Sequence, residues 1–160
     1  MKKSNSKISF SPTPLLKSDH KVVAELFKKI MATTNRGVKT REELFHELKM
    51  NLDIHAHIEE GIFYPAVKEP KSTHAMTLEA YEEHHVVKHL LKELDEMEKN
   101  SDEWKAKLTV LKEIVEHHVK EEETKMFPQA NKIVSKSELA ELAEEMTVAK
   151  EDMQRQLLAA

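Results

Sequence analysis

The sequence predicts an all-α protein: an antiparallel four-helix bundle, running up-down-up-down, with an additional C-terminal helix. Three features lead to that class. Nowhere do apolar and polar residues alternate with a period of two, so no strand is expected. Capping residues and prolines divide the chain into five stretches, each with apolar residues at helical spacing. The first four stretches form two similar pairs. "DHKVVAELF" from Asp19 is echoed by "EHHVVKHLL" from Glu83, 64 residues on, and "HAHIEEGIFYP" from His55 by "HVKEEETKMFP" from His118, 63 residues on. Two such helix pairs joined by short loops close into a four-helix bundle.

The elements follow in order. Residues 1–13 contain three lysines but no apolar h-region, so they read as a flexible arm and not as a secretory signal. Thr13 and Pro14 read as N-cap and first helical residue of helix one, which runs to about Thr33 and stops at "NRG", 35–37. Thr40 with Glu43 is a capping box that opens helix two, and Pro65 and Pro70 bracket its exit. Ser72 or Thr73 opens helix three, which ends near Asn100 and Ser101. Ser101 caps helix four, which runs to Pro128. Ser135 with Glu138 opens the fifth helix. The expected organisation is an arm over 1–13, a bundle over 14–134 and a C-terminal helix over 135–160. Leu139, Leu142, Met146, Val148, Met153 and Leu157 would dock that helix on the bundle or on a second subunit, a possible homodimer contact.

Composition narrows the chemistry. With no cysteine among 160 residues, disulfides, thiolate metal sites and cysteine nucleophiles are excluded. Net charge is −4 and the basic residues are scattered, so no nucleic-acid surface is expected. No apolar run approaches the length of a membrane span, and a cytoplasmic location is expected. What stands out is ten histidines.

Helix phase sorts them. At about 100° per residue, Leu44, Phe45, Leu48, Leu52, Ile62 and Phe63 form one stripe on helix two, with His55 and Glu59 at its centre. On helix four the stripe is Leu108, Leu111, Ile114, Val115 and Met126, with His118 and Glu122 at its centre. His57, Glu60, His117 and Glu123 fall off these centres. His20 and His84 lie at the edges of stripes containing Val22, Val23, Leu26, Phe27 and Ile30 on helix one, and Val86, Val87, Leu90, Leu91 and Leu94 on helix three. His85 and His89 point outward. A single inward histidine is ordinarily a hydrogen-bonded core residue. Two glutamates at stripe centres with no lysine or arginine in either stripe are another matter, because buried carboxylates cost several kcal/mol unless compensated. Metal compensates them. Imidazole and carboxylate without thiolate suit iron, manganese or zinc. Four His and two Glu exceed one tetrahedral zinc site and suit two metals, two His on each, bridged by the carboxylates and leaving coordination positions open.

The order His, His-x-x-x-Glu, His, His-x-x-x-Glu, with its "EE…FYP" and "EEE…MFP" tails, resembles hemerythrin-like (HHE cation-binding) domains over about Leu15 to Ala130. The resemblance implies a four-helix bundle holding two non-haem iron ions, oxo- or hydroxo-bridged. His20, His55, His84 and His118 would be terminal ligands, and Glu59 and Glu122 would bridge. It also implies a protein that binds O2, peroxide or another small diatomic ligand in oxygen, redox or iron homeostasis, with a weak catalase- or peroxidase-like activity as one form of that chemistry. The alternative is an iron-sensing module signalling to a partner protein. Oxygen-carrying hemerythrins have a fifth histidine where this chain has Lys88, and an Asp five residues after the helix-four His where this chain has Glu122 four after His118. The resemblance is thus to a branch with a four-histidine shell. Glu-x-x-His spacing of the ferritin-like kind occurs at Glu43/His46 and Glu82/His85, but Glu43 and His85 point away from their stripes.

Overall fold

A computed structural model of the chain describes residues 11–160, so most of the expected arm lies outside the described residues. Five helical rods follow one another. The first is α1 (Pro12–Met31). The second is a continuous run of α2 (Val38–Ile58), a π-helical turn π1 (Glu59–Phe63) and α3 (Tyr64–Lys68). The third is α4 (His74–Glu96). The fourth repeats the second as α5 (Asp102–Glu121), π2 (Glu122–Met126) and α6 (Phe127–Ile133). The fifth is α7 (Lys136–Ala159). No strand occurs among the described residues.

Several boundaries differ from expectation. Ser11, not Thr13, caps α1, its hydroxyl accepting from the Thr13 amide, so Ser11 to Thr13 belong to the helix start. α2 begins at Val38 after Gly37, and Thr40 lies inside it with no capping bond. α4 follows Thr73 but ends at Glu96, several residues early, where Met97 turns to extended backbone. Ser101 and Ser135 cap α5 and α7 as read from the sequence, accepting from the Trp104 and Glu138 amides.

The largest difference is at the prolines. Pro65 and Pro128 do not end their helices. Before each, the ladder widens by one residue: the amides of Tyr64 and Phe127 bond the carbonyls of Glu59 and Glu122, five residues back. Pro65 has no N–H to continue that pattern onto the Glu60 carbonyl, and the Tyr81 hydroxyl donates to it instead at 3.3 Å.

Two apolar layers make the core. One contains Phe27, Phe45, Leu48, Leu91, Trp104 and Leu111. The other contains Leu16, Ile58, Phe63, Phe127 and Ala130. Along every rod of the bundle, the histidines and glutamates of interest fall between the two, so hydrocarbon closes the polar layer above and below. α7 lies against α1, α2 and π1 and adds Leu139, Leu142 and Met146 to the second layer. Its Val148 and Leu157 are exposed, as are Val22 and Val86, the first valine of each repeated pair.

Arg41, which the stripe reading left out, is 1% exposed. Its guanidinium donates to the Thr33 hydroxyl (2.9 Å), the Thr33 carbonyl (3.1 Å), Asn35 Oδ1 (3.0 Å) and the Lys99 carbonyl (2.5 Å), and sits 5.2 Å over the Trp104 ring. It ties two loops together at the end of the bundle about 27 Å along the helix from Glu59, too far to pair with it. Arg41→Ala should cost about 3 kcal/mol of stability, because buried acceptors lose a charged donor. Urea unfolding measures this, and metal content should not change.

Candidate metal centre

The structure brings all six sequence-predicted residues into one layer. His20 comes from α1, His55 from α2, His84 from α4 and His118 from α5, while Glu59 and Glu122 are the first residues of the two π turns. None is more than 6% exposed. The imidazoles meet as two pairs, His20 Nε2 to His55 Nε2 at 3.2 Å and His84 Nε2 to His118 Nε2 at 3.1 Å. Each carboxylate spans the pairs. Glu59 Oε1 lies 3.1 Å from His55 Nε2, and its Oε2 lies 3.2 Å from His84 Nε2. Glu122 Oε1 lies 2.6 Å from His118 Nε2 and 3.7 Å from His20 Nε2.

Acids behind the rings fix their orientation. Asp19 accepts from His55 Nδ1 at 3.0 Å and Glu83 from His118 Nδ1 at 3.1 Å, the same arrangement in the two repeats. Glu60 accepts from His84 Nδ1 at 2.9 Å, and its equivalent Glu123 approaches His20 Nδ1 to 3.6 Å. A ring that donates through Nδ1 presents its Nε2 lone pair to the centre, which is the form a metal binds. Glu60 and Glu123 fall off the stripe centres, yet from the flank of the layer their side chains reach the rings of neighbouring helices. Lys88, in place of a fifth histidine, donates to both Glu60 oxygens at 2.9 Å and holds the acid that holds His84.

Tyr64 is the residue that sequence reasoning missed. Its hydroxyl donates to Glu59 Oε2 at 3.0 Å and lies 3.2 Å from His84 Nε2, 3.4 Å from His118 Nε2 and 3.4 Å from Glu122 Oε2. Regular helical spacing would turn it about 140° away from Glu59. The π turn brings it back. The tenth-position aromatic shared by the two repeated stretches was the available signal. Its counterpart Phe127 stacks on His20, with centroids 5.9 Å apart and planes 10° from parallel.

Burial and proximity shift these groups strongly. Burial pushes the Glu122 carboxyl up to about 7, and neighbouring Glu59 adds to the push. Burial also works against a charged Glu59, but the His55 cation and bonds from the other histidines outweigh it and hold Glu59 well below the carboxylate range. Burial lowers His55 and His118, yet Glu59 lifts His55 to about 10 and Glu122 lifts His118 well above the imidazole range. His20, desolvated and beside His55, falls to about 3. Burial and Glu122 raise the Tyr64 phenol. Protons on His55 and His118 thus balance the carboxylates when no metal does.

Two observations test whether a metal fits. Glu59 Oε1 and Glu122 Oε1 are buried and make no well-formed hydrogen bond, although each faces an imidazole Nε2 at 3.1 and 2.6 Å. Donor atoms of His20, His55, Glu59 and Glu122, and of Glu59, His84 and His118, lie within 4.8 Å of one another in two groups that share Glu59. Nitrogen and oxygen donors around such carboxylate oxygens suit cations.

The sequence matches the family described as "Hemerythrin HHE cation binding domain" over residues 11–130. The chain belongs to this family. A crystal structure of a hemerythrin HHE cation-binding domain-containing protein from Mycobacterium kansasii is similar, with a TM-score of 0.81 and 29% identity over 93% of this chain and 90% of that one. An uncharacterized protein of Mycobacterium tuberculosis is 30% identical over 144 residues, 87% of this chain and 84% of that protein. A DNA nickase of Nostoc sp. is 27% identical over 143 residues, and this chain spans 40% of its length. Within the hemerythrin fold, the remaining histidines stand apart. The side chains of His85, His89 and His117 are 67%, 71% and 59% exposed, and His57 is exposed too. Glu82 and His85, the ferritin-like pair, meet only at the surface.

Proposed function

We propose that this hemerythrin-like protein is a non-haem di-iron protein that binds O2 or reacts with peroxide, serving oxygen, redox or iron homeostasis in the cytoplasm. The observation that carries the reading is the pair of imidazole pairs, joined by two carboxylates, beside a small apolar cavity. His20 and His55 would hold one iron, His84 and His118 the other, and Glu59 and Glu122 would serve both. The cavity, about 30 Å³, is lined by the four histidines, by Val23, Leu52, Ala56, Val87, Leu91, Val115 and Val119, and by Asp53 and Lys88, and has room for a diatomic or a water-sized molecule. An iron pair supplies redox capacity and open coordination positions. The chain supplies the rest: apolar walls that exclude bulk water, Glu60 and Lys88 bracing His84, and a Tyr64 hydroxyl proton held against Glu59.

Metal analysis and the optical spectrum of aerobically purified protein test this. About two irons per chain with near-ultraviolet di-ferric absorption, and peroxide consumption by that form, are the expected results. A colourless zinc-loaded protein, or a long-lived oxygen adduct with no peroxide consumption, would return the protein to a sensor or a carrier.

Ligands and neighbouring histidines should separate on mutation. His55→Ala and His118→Ala should each lose at least one metal, whereas His57→Ala and His117→Ala should keep both at equilibrium, because sequence neighbours lie on other helix faces. Metal loss in His57→Ala with retention in His55→Ala would disprove the assignment.

One observation favours the second reading, an iron-sensing module. Lys150 of α7 pairs with Asp19, and Asp19 accepts from His55, so the fifth helix touches a residue that touches the centre. Beyond it, Leu157 and Leu158 are exposed. Metal-dependent proteolysis between residues 151 and 160 would support that reading.

A further inference from the structure

The internal repeat gives the centre two equivalent flanks, and they are finished differently. Asp19 and Glu83 hold equivalent places. Behind Asp19 stands α7, with Lys150 on the carboxylate and with Leu15 and Ile58 in the apolar layer that α7 joins. Near Glu83, the repeat equivalents of Leu15, Ile54 and Ile58 are Glu79, His117 and Glu121, and Glu79 and His117 are open to solvent. Donor atoms of Glu79, Glu83 and His117 lie within 4.8 Å of one another. Together with Glu82 and Glu113 they line a groove of about 450 Å³ that carries four carboxylates and no lysine or arginine.

A second observation connects this groove to the interior. A crevice of about 10 Å³, sharing Glu79 and Glu83 with the groove, reaches His118 and Glu122. Glu122 is 1% exposed, and its Oε1, 2.6 Å from His118 Nε2, makes no well-formed hydrogen bond. Glu83 faces both ways: Oε1 accepts from His118 Nδ1 at 3.1 Å, and Oε2 lies 3.8 Å from His117 Nε2.

We propose that Glu79, Glu83 and His117 form an outer divalent-cation site from which the buried centre is loaded, an inference that rests on the metal centre proposed above. Imidazole with two carboxylates suits Fe²⁺, Mn²⁺ or Zn²⁺. Glu82 and Glu113 raise the local cation concentration, and the crevice leads inward to His118 and Glu122 of the centre.

The test uses full-length apoprotein and the double variant Glu79→Gln/His117→Ala, whose altered residues are exposed and outside the centre. Fe²⁺ uptake, followed by rapid quench with a chelator, should slow about tenfold in the variant, while final stoichiometry stays that of the wild type. Iron-loaded wild type should also bind one further Mn²⁺, counted by electron paramagnetic resonance, which the variant does not bind. An unchanged loading rate, or no further Mn²⁺ in the wild type, overturns the outer site. Failure of the wild type to take up any metal overturns the centre itself, and the outer site with it.

Discussion

Glu59→Ala and Glu122→Ala should each empty the centre of both metals, a greater loss than any single histidine substitution produces. Each carboxylate reaches one imidazole of both pairs, so removing it deprives two metal positions at once. The damage extends to the protein without metal. Glu59 and Glu122 help to lift His55 and His118 above the imidazole range, and breaking a buried pair of this kind costs about 3–5 kcal/mol. Glutamine preserves shape but bridges two cations poorly, so Glu59→Gln should lose metal as well. Metal analysis with urea unfolding reads both effects. Two irons and an unchanged spectrum in Glu59→Gln would refute a shared ligand.

Removing metal from the wild type should lower the melting temperature by about 10 °C near pH 8, taking a metal at a thousand times its dissociation constant and a domain of this size. The gap should widen as pH rises from 6 to 9. His55 titrates near 10 in the folded apoprotein, against an ordinary value of 6.5. The stability it gives the apoprotein is fully present below 6.5 and is lost as pH climbs toward 10. Glu122, raised to about 7, destabilises the apoprotein increasingly as pH rises from its ordinary value to 7. Metal replaces the protons on these groups, so binding strengthens over the same range while the apoprotein weakens. Calorimetry of both forms across that window is the measurement. Equal melting temperatures with and without metal would mean that the six residues do not bind one.

The bundle and the six-residue layer were legible in the sequence because both depend on regular features. Stripe centres at His55, Glu59, His118 and Glu122 follow from a 3.6-residue period, and the repeat supplied His20 and His84. What escaped depends on departures from that period. Tyr64 lies just beyond a π turn, where regular spacing misplaces it, while Glu60 and Glu123 lie off the stripe centres and act through the reach of their side chains. Pro128 reads as a terminator because proline ordinarily interrupts an i−4 ladder, and here the ladder has already changed; Pro65 and Pro70 do bracket the end of the second rod at Lys68. Arg41 was invisible for a different reason: its partners are loop carbonyls, and no pattern of side chains announces a carbonyl.

The Tyr64–Phe127 contrast makes the two halves of the centre chemically unequal. The internal repeat gives two histidine pairs with matching carboxylates, but one pair has a weak acid against it and the other a hydrocarbon lid. The small cavity lies on the other side of the polar layer, against Val23, Leu52, Val87, Leu91 and Val115, so the contrast acts from behind the imidazoles. A phenol that keeps its proton touches His84 and His118, and an aromatic face covers His20. A repeated frame thereby gives two matching imidazole pairs unequal surroundings.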